Sequence, residues 1–283
     1  MPRMSLLFDL HAHSTASDGT LTPTQLMQRA HAAGIGVMAL TDHDTLEGLG
    51  EAADSARDLG LGFVPGVEIS VTWGEATVHI VGLGVDPGSD DLRVGLAGLR
   101  EFRDWRAQEI GRRLDKAGIP DAFAGARALS NGRLISRTHF ARYLVDNGHA
   151  SDVRAVFHKF LVSGKPGFVS GRWAGLEEAV RWIRLAGGQA VIAHPARYKM
   201  TRSKLRRLIG EFVEVGGAAL EVVSGSHSRD DSFSMAALVR DFGLLASAGS
   251  DYHGPEHPWI ELGRLPPLPD GCNAIWKDWR ISH

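Results

Sequence analysis

Asp9-Leu10-His11-Ala12-His13-Ser14 is the stretch on which the fold of this chain turns. It closes an apolar run from Ser5 to Leu10 that is short enough for a buried strand, and it leaves that strand through two histidines two positions apart. Side chains alternate along extended backbone, so both imidazoles point to one side, as ligands sharing a metal must. One such pair is a weak signal, because a lone histidine is more often a hydrogen-bonded structural residue. What matters is whether other strands end the same way.

They do. Apolar runs recur at Val37 to Leu40, Phe63 to Ile69, Thr77 to Leu83, Ala190 to Ala193, Ala218 to Val223 and Leu244 to Ala248, with longer helical patterns between them. That alternation predicts a βα series. Thr22-Pro23-Thr24-Gln25 supplies an N-cap, a proline at the first helical position and a capping-box glutamine, and Gly34 a stop, so a helix is expected from Pro23 to Ala33. In a parallel barrel the C-terminal strand ends converge on one face. Here they carry His11, His13 and Asp18, then Thr41-Asp42-His43-Asp44, Glu68, His79, His194-Pro195 and Ser250-Asp251-Tyr252-His253. Each strand delivers a ligand type, which scattered surface histidines would not do.

Composition bounds the rest. The 283 residues, 43% hydrophobic and 23% charged, suit a compact globular protein. The single Cys272 excludes a disulfide framework and a cysteine-rich zinc module and fits a reducing, cytoplasmic setting. The first residues lack an apolar stretch of signal length, and no window approaches a membrane span, so no membrane partner is expected. A net charge of -2 argues against a long duplex DNA partner and leaves a local basic pocket open.

Strand signals vanish from Phe102 to Gly164, where helical stretches such as Phe102 to Ala117 and Thr138 to Asn147 dominate. We read residues 102–164 as an inserted helical subdomain, a lid or recognition element, and residues 1–101 and 165–283 as the barrel. The insert is rich in arginine, including Arg133, Arg137, Arg142 and Arg154, most of which read equally well as a solvated helix face. The proline- and tryptophan-rich tail after Trp259 is expected along the barrel exterior.

The runs His11-Ala-His-Ser, Ser17-Asp18-Gly19, Thr41-Asp42-His43-Asp44, Pro65-Gly66-Val67-Glu68, Ala193-His194-Pro195 and Ser250-Asp251-Tyr252-His253 resemble, in order, the motifs of the polymerase and histidinol phosphatase (PHP) family. The resemblance implies an α/β fold, a distorted parallel (β/α)7 barrel, with two or three divalent metals. It implies that His11, His13, Glu68 and Asp251 hold one metal, that Glu68 bridges to a second bound by His79 and His194, and that Asp18, His43 and His253 hold a third. Imidazole and oxygen ligands without thiolates suit Mn²⁺, the first choice, or Fe²⁺ or Zn²⁺. Three dications against Asp18, Glu68 and Asp251 leave a surplus of about +3, a field that calls for an anion. In-line attack on a phosphoester by a metal-bound hydroxide, held by Glu68, His194 and Asp251, fits that field.

The insert's Arg137-Thr138-His139-Phe140-Ala141-Arg142 and the segment from Gly164-Lys165-Pro166 to His194-Pro195 are similar to the stand-alone branch of the family that acts on nucleotides. This implies a small nucleotide or short oligonucleotide substrate, with removal of the 3'-phosphate of a nucleoside 3',5'-bisphosphate or trimming of short RNA from its 5' end. Ser136, Arg137, His139, Lys165, Arg197, Ser226 and His227 are the candidate contacts to the second phosphate. A histidinol-phosphate phosphatase, a polymerase-associated module and a non-catalytic metal-binding protein are the alternatives.

Overall fold

A computed structural model describes residues 6–130, 134–256 and 259–280; Ser5 and Arg133 lie outside them. Seven strands form one sheet in sequence order: β1 Phe8–Asp9, β2 Val37–Leu40, β3 Gly62–Trp73, β4 Ala76–Leu83, β5 Gln189–Ile192, β6 Ala219–Ser224 and β7 Leu245–Gly249. The ends of the sheet meet: Leu10 N donates to Ala248 O at 3.0 Å, and Asp251 N to His11 O at 2.8 Å. The barrel is nearly closed.

One strand departs from the parallel expectation. β4 runs antiparallel to both β3 and β5, whereas the other neighbours are parallel. Trp73 pairs with Ala76, so only Gly74 and Glu75 join β3 to β4, with Gly74 at φ 58°. Two residues make a hairpin and cannot make a parallel crossover. Reversal brings the first half of β4, with His79 opposite Ser70, to the same mouth as the C-terminal ends of the other strands.

The barrel interior is an apolar plug of Leu10, Val37, Ala39, Val64, Val81, Val191 and Ala219, and Ile275 of the tail belongs to it. Trp276 stacks on Phe8 with ring centroids 4.5 Å apart, and Trp279 Nε1 donates to Gln189 Oε1 at 2.7 Å. The tail therefore closes the floor of the barrel, where the strands begin, instead of lying along its outside. Without it the lower end of the plug would face water.

Helix α1 (Pro23–Ala32) starts as expected: Thr22 Oγ1 accepts from Gln25 N, and Gln25 Oε1 accepts from Thr22 N. With α2 (Leu49–Leu59) it buries Leu26, Met27 and Ala30 against Met38 and Leu40 on the outer face of β2. Phe102, the expected start of the insert, lies inside a helix. Helix α3 runs unbroken from Asp90 to Lys116, about 40 Å. Its Leu92, Leu96 and Leu99 pack on the barrel, while Ala107, Ile110 and Leu114 enter a second core with Phe140, Leu144 and Leu161. That second core is built with α4 (Ala122–Leu129), α5 (Arg137–Asp146) and α6 (Val153–Val156), which runs on into a π-turn at Phe157–Leu161. A helix shared by both cores joins the insert to the barrel. Helices α7 (Leu176–Leu185), α8 (Arg202–Glu214) and α9 (Arg229–Phe242) complete the outer layer.

Candidate metal centre

His11 and His13, leaving β1, meet Glu68 of β3 and Asp251 just after β7. The two Nε2 atoms are 3.2 Å apart; Glu68 Oε2 lies 3.4 and 3.3 Å from them and Asp251 Oδ1 3.5 and 3.3 Å. Four donors around one cation at about 2.1 Å in tetrahedral geometry would stand about 3.4 Å from each other, so the spacing fits a metal without rearrangement. The other oxygen of Glu68 faces a different pair: Oε1 is 2.8 Å from His79 Nδ1 and 3.0 Å from His194 Nε2. On the third side His253 Nε2 is 3.4 Å from Asp18 Oδ1, and His43 Nε2 is 3.9 Å from it. His13, Asp18, His43 and His253 form one potential cation group, and His43, Glu68 and His79 another. His43 thus stands between the groups, its Nδ1 2.9 Å from Glu68 Oε2.

Most of the donors are buried, Glu68 wholly so, while His79 and His253 are half-buried at the rim. Asp18 Oδ1 and Glu68 Oε2 are buried without a hydrogen-bond donor. Carboxylate oxygens left bare in that way are costly unless a cation faces them. Burial would raise the Glu68 carboxyl, but His79, His43 and His11 hold it well below the usual range; Asp18 and Asp251 are held down in the same way by their histidine neighbours and, for Asp251, by Arg197. Burial would lower His11 and His13, yet the surrounding carboxylates raise both, His13 to about 10. Burial wins at His43, which falls to about 4. A cation entering beside His11 and His13 therefore displaces protons.

The backbone is bent to make this mouth. Asp44, His194 and Asp251 have φ of 50°, 29° and 58°, a left-handed region that non-glycine residues enter at a cost. Buried carboxylates brace the loops. Asp42 accepts from Ser14 N, Ser14 Oγ and Ser17 Oγ at 2.8, 2.6 and 2.5 Å, which shapes the turn toward Asp18. Asp44 accepts from Ser70 N at 2.7 Å and from Arg103 Nε at 2.6 Å.

A cavity of about 190 Å³ opens over the cluster, and its far wall comes from α3 and the insert. Of the sequence candidates for a second phosphate, Ser136, Arg137 and Arg197 line it. Arg197 is already paired with Asp251. The other candidates lie off the cavity wall. His139 is buried, its Nδ1 accepting from Ser136 N at 3.0 Å as part of the cap of α5. Lys165 and Ser226 are exposed, and His227 braces the turn that carries Arg197, its Nε2 accepting from Ala196 N at 3.4 Å while Nδ1 donates to Val222 O at 3.1 Å.

Arg103 and Arg106 of α3 line the cavity and were not singled out in the sequence. Burial, together with neighbouring Arg137 and Arg103, pushes the Arg106 guanidinium down to about 9. Three guanidiniums crowded in this way are a place for an anion. A signal existed: Leu96, Leu99, Arg103, Arg106 and Ile110 follow one buried stripe of α3, so the arginines interrupt an apolar face rather than decorate a polar one. Trp173 beneath Arg103 and Arg106, and Phe157 beneath Arg137, supply flat apolar wall.

Residues 9–161 match the PHP domain family. The chain is 52% identical over 271 residues to a 3',5'-nucleoside bisphosphate phosphatase of Chromobacterium violaceum, covering 95% of each protein, and 44% identical over 277 residues to the 5'-3' exoribonuclease Rnm of Escherichia coli, covering 97% of this chain and 94% of that one. A solved amidohydrolase structure from Chromobacterium violaceum, with bound sulfate and no metal, superposes with a TM-score of 0.92 at 51% identity over 95% of this chain and 94% of the other.

Proposed function

This chain belongs to the PHP domain family, and on that premise we propose that it hydrolyses the 3'-phosphate of nucleoside 3',5'-bisphosphates. The observation that carries the reading is one cavity with two anion sites of different kinds. One end is a cluster of imidazoles and carboxylates that can hold cations; the other is a trio of guanidiniums, Arg103 and Arg106 buried and Arg137 half-buried. A substrate with two phosphates satisfies both.

In this reading His11, His13, Glu68 and Asp251 hold one divalent cation, Glu68 with His79 and His194 a second, and Asp18, His43 and His253 a third. Bound cations, Mn²⁺ in first place with Fe²⁺ or Zn²⁺ as alternatives, supply activated water near neutral pH and offset charge on the reacting phosphoryl group. The protein does the rest by position. Arg137 and Arg106 hold the 5'-phosphate, Arg103 is braced on Asp44 and Ser70, and Trp173 and Phe157 flank the nucleoside between the two ends. Arg197, through Asp251, belongs to the reacting end.

Trimming of short RNA from the 5' end is the second reading, favoured by the likeness to the exoribonuclease along nearly the whole chain. It breaks the bond at the same 3' oxygen and uses the same pocket. Histidinol phosphate fits less well, since its amine would face three guanidiniums. No helix among the described residues is long and apolar enough to cross a membrane. On the single Cys272, which fits a reducing compartment, we place the activity in the cytoplasm. Turnover of a panel of 3',5'-bisphosphates, 5'-monophosphates, histidinol phosphate and 5'-phosphorylated oligoribonucleotides tests the proposal. Preference for histidinol phosphate, or indifference to the second phosphate, would overturn it.

A further inference from the structure

Glu221 is a charged residue in the middle of the apolar strand Ala219-Leu220-Glu221-Val222-Val223, is 2% exposed, and is not one of the cation-cluster donors described above. Its two oxygens are committed to two different histidines. Oε1 accepts from His11 Nδ1 at 2.9 Å, and Oε2 accepts from the backbone N–H of His194 at 2.5 Å. The first contact fixes which nitrogen of His11 carries hydrogen. In the neutral ring that a cation would need, Nδ1 as donor leaves Nε2 bare toward His13, Glu68 and Asp251. The second contact anchors the backbone of His194 at its left-handed φ of 29°, where the chain leaves β5 and turns the imidazole onto Glu68.

The surrounding fold is adjusted for these contacts. The pairing of β6 with β7 shifts register between Glu221 and Val223, a bulge of the kind that re-aims a side chain beside a site. On β7, Gly249 lies against the pair: a Cβ there would come 2.2 Å from His11 Cβ and 2.8 Å from Glu221 Oε1. Only glycine lets the imidazole and the carboxylate meet.

We propose that Glu221 is a positioning residue that couples the first and second cation positions, setting the His11 tautomer for one and the His194 turn for the other. The inference rests on the cation reading of these clusters but not on the identity of the substrate. A carboxylate accepts at both oxygens, whereas an amide accepts at one and donates at the other. In Glu221→Gln the two contacts cannot both survive. If the amide oxygen keeps His194 N–H, the amide NH₂ meets His11 Nδ1 and drives the hydrogen to Nε2, the atom that must be bare.

The test is Mn²⁺ or Zn²⁺ binding to the purified full chain, by calorimetric titration and elemental analysis, with thermal unfolding of the metal-free protein as a control. Glu221→Gln should weaken cation binding roughly tenfold to a hundredfold with a near-unchanged metal-free transition. At saturating metal, kcat should fall while KM changes little. Glu221→Asp keeps the charge on a shorter arm, and should weaken binding less than the glutamine variant because one contact survives without reversing the tautomer. If Glu221→Gln does not fold, the aspartate variant carries the test alone, and wild-type affinity in it overturns the inference. Wild-type affinity and stoichiometry in a folded Glu221→Gln do the same. A wild-type protein that binds no divalent cation would instead overturn the reading of the clusters themselves.

Discussion

Thr138, in the first turn of α5, donates its hydroxyl to Asp18 Oδ2 at 3.1 Å, so the insert reaches into the cluster at the mouth of the barrel. Arg142, one turn further on, donates to Asp18 O at 3.2 Å. The insert thus holds the loop that presents Asp18, besides walling the cavity. Thr138→Val removes one hydrogen bond to a buried carboxylate while keeping shape. It should lower kcat/KM about tenfold, the usual worth of a bond to a charged group, with the barrel intact. Steady-state kinetics with a circular-dichroism control measure it, and unchanged kinetics would reduce the contact to packing.

Removing a proposed ligand should remove metal and activity together. His11→Ala and Asp251→Asn each take one donor from the group that also contains His13 and Glu68. Both should purify with less bound cation and turn over at least about a hundredfold more slowly, as loss of a direct ligand from a catalytic site requires. Elemental analysis beside kinetics decides it. Full metal content with wild-type turnover in either variant would refute the assignment.

The arginines should divide by substrate. Arg137 makes no ion pair among the described residues and faces the cavity beside Arg106, whereas Arg197 is bound to Asp251. Arg137→Ala should cost about tenfold to a hundredfold in kcat/KM on a 3',5'-bisphosphate and little on the matching 3'-monophosphate. Arg197→Ala should cost similar amounts on both, because it acts at the reacting end. Equal losses for Arg137→Ala on the two substrates would move it to the reacting phosphate.

Acid should loosen the insert through His139. Burial lowers this histidine to about 4, since Nδ1 must stay bare to accept from Ser136 N. A histidine depressed in the folded state stays neutral while the unfolded chain takes up a proton, so stability falls as pH drops from about 6.5 to about 4. The full loss is on the order of 3 kcal/mol. His139→Gln keeps the capping box, whose glutamine form is common, and lacks the titration. Thermal unfolding of the metal-free proteins at pH 7 and pH 4.5 should therefore show a smaller drop in the glutamine variant. An equal drop in both would mean that His139 is protonated in the folded protein.

Much of the barrel is legible in the chain because each signal is local. Val37 to Leu40 is a strand in sequence and structure alike, and the Thr22 cap starts α1 where its residues say. His11 and His13 share a face by backbone periodicity alone, and the other donors stand beside apolar runs that end at the same mouth. Three-dimensional packing decided the rest. The reversal of β4 follows from how short the β3–β4 turn is, a two-residue link that the run lengths blur. Arg137 of the insert and Lys165 at its boundary read alike as candidate cations, but the docking of α5 on the Asp18 loop carries Arg137 to the cavity, while Lys165 stays in solvent. Arg103, with Arg106, and Glu221 were the subtler cases, charges set into otherwise apolar stripes. Sequence by itself determined which side chains can bind a cation, since that is a property of their chemistry and of the period of the backbone beneath them. Which charges meet each other was left to the tertiary structure, because whether a buried charge is a core defect, a brace or a contact to substrate depends on partners distant in the chain, 59 residues from Arg103 to Asp44 and 210 from Glu221 to His11.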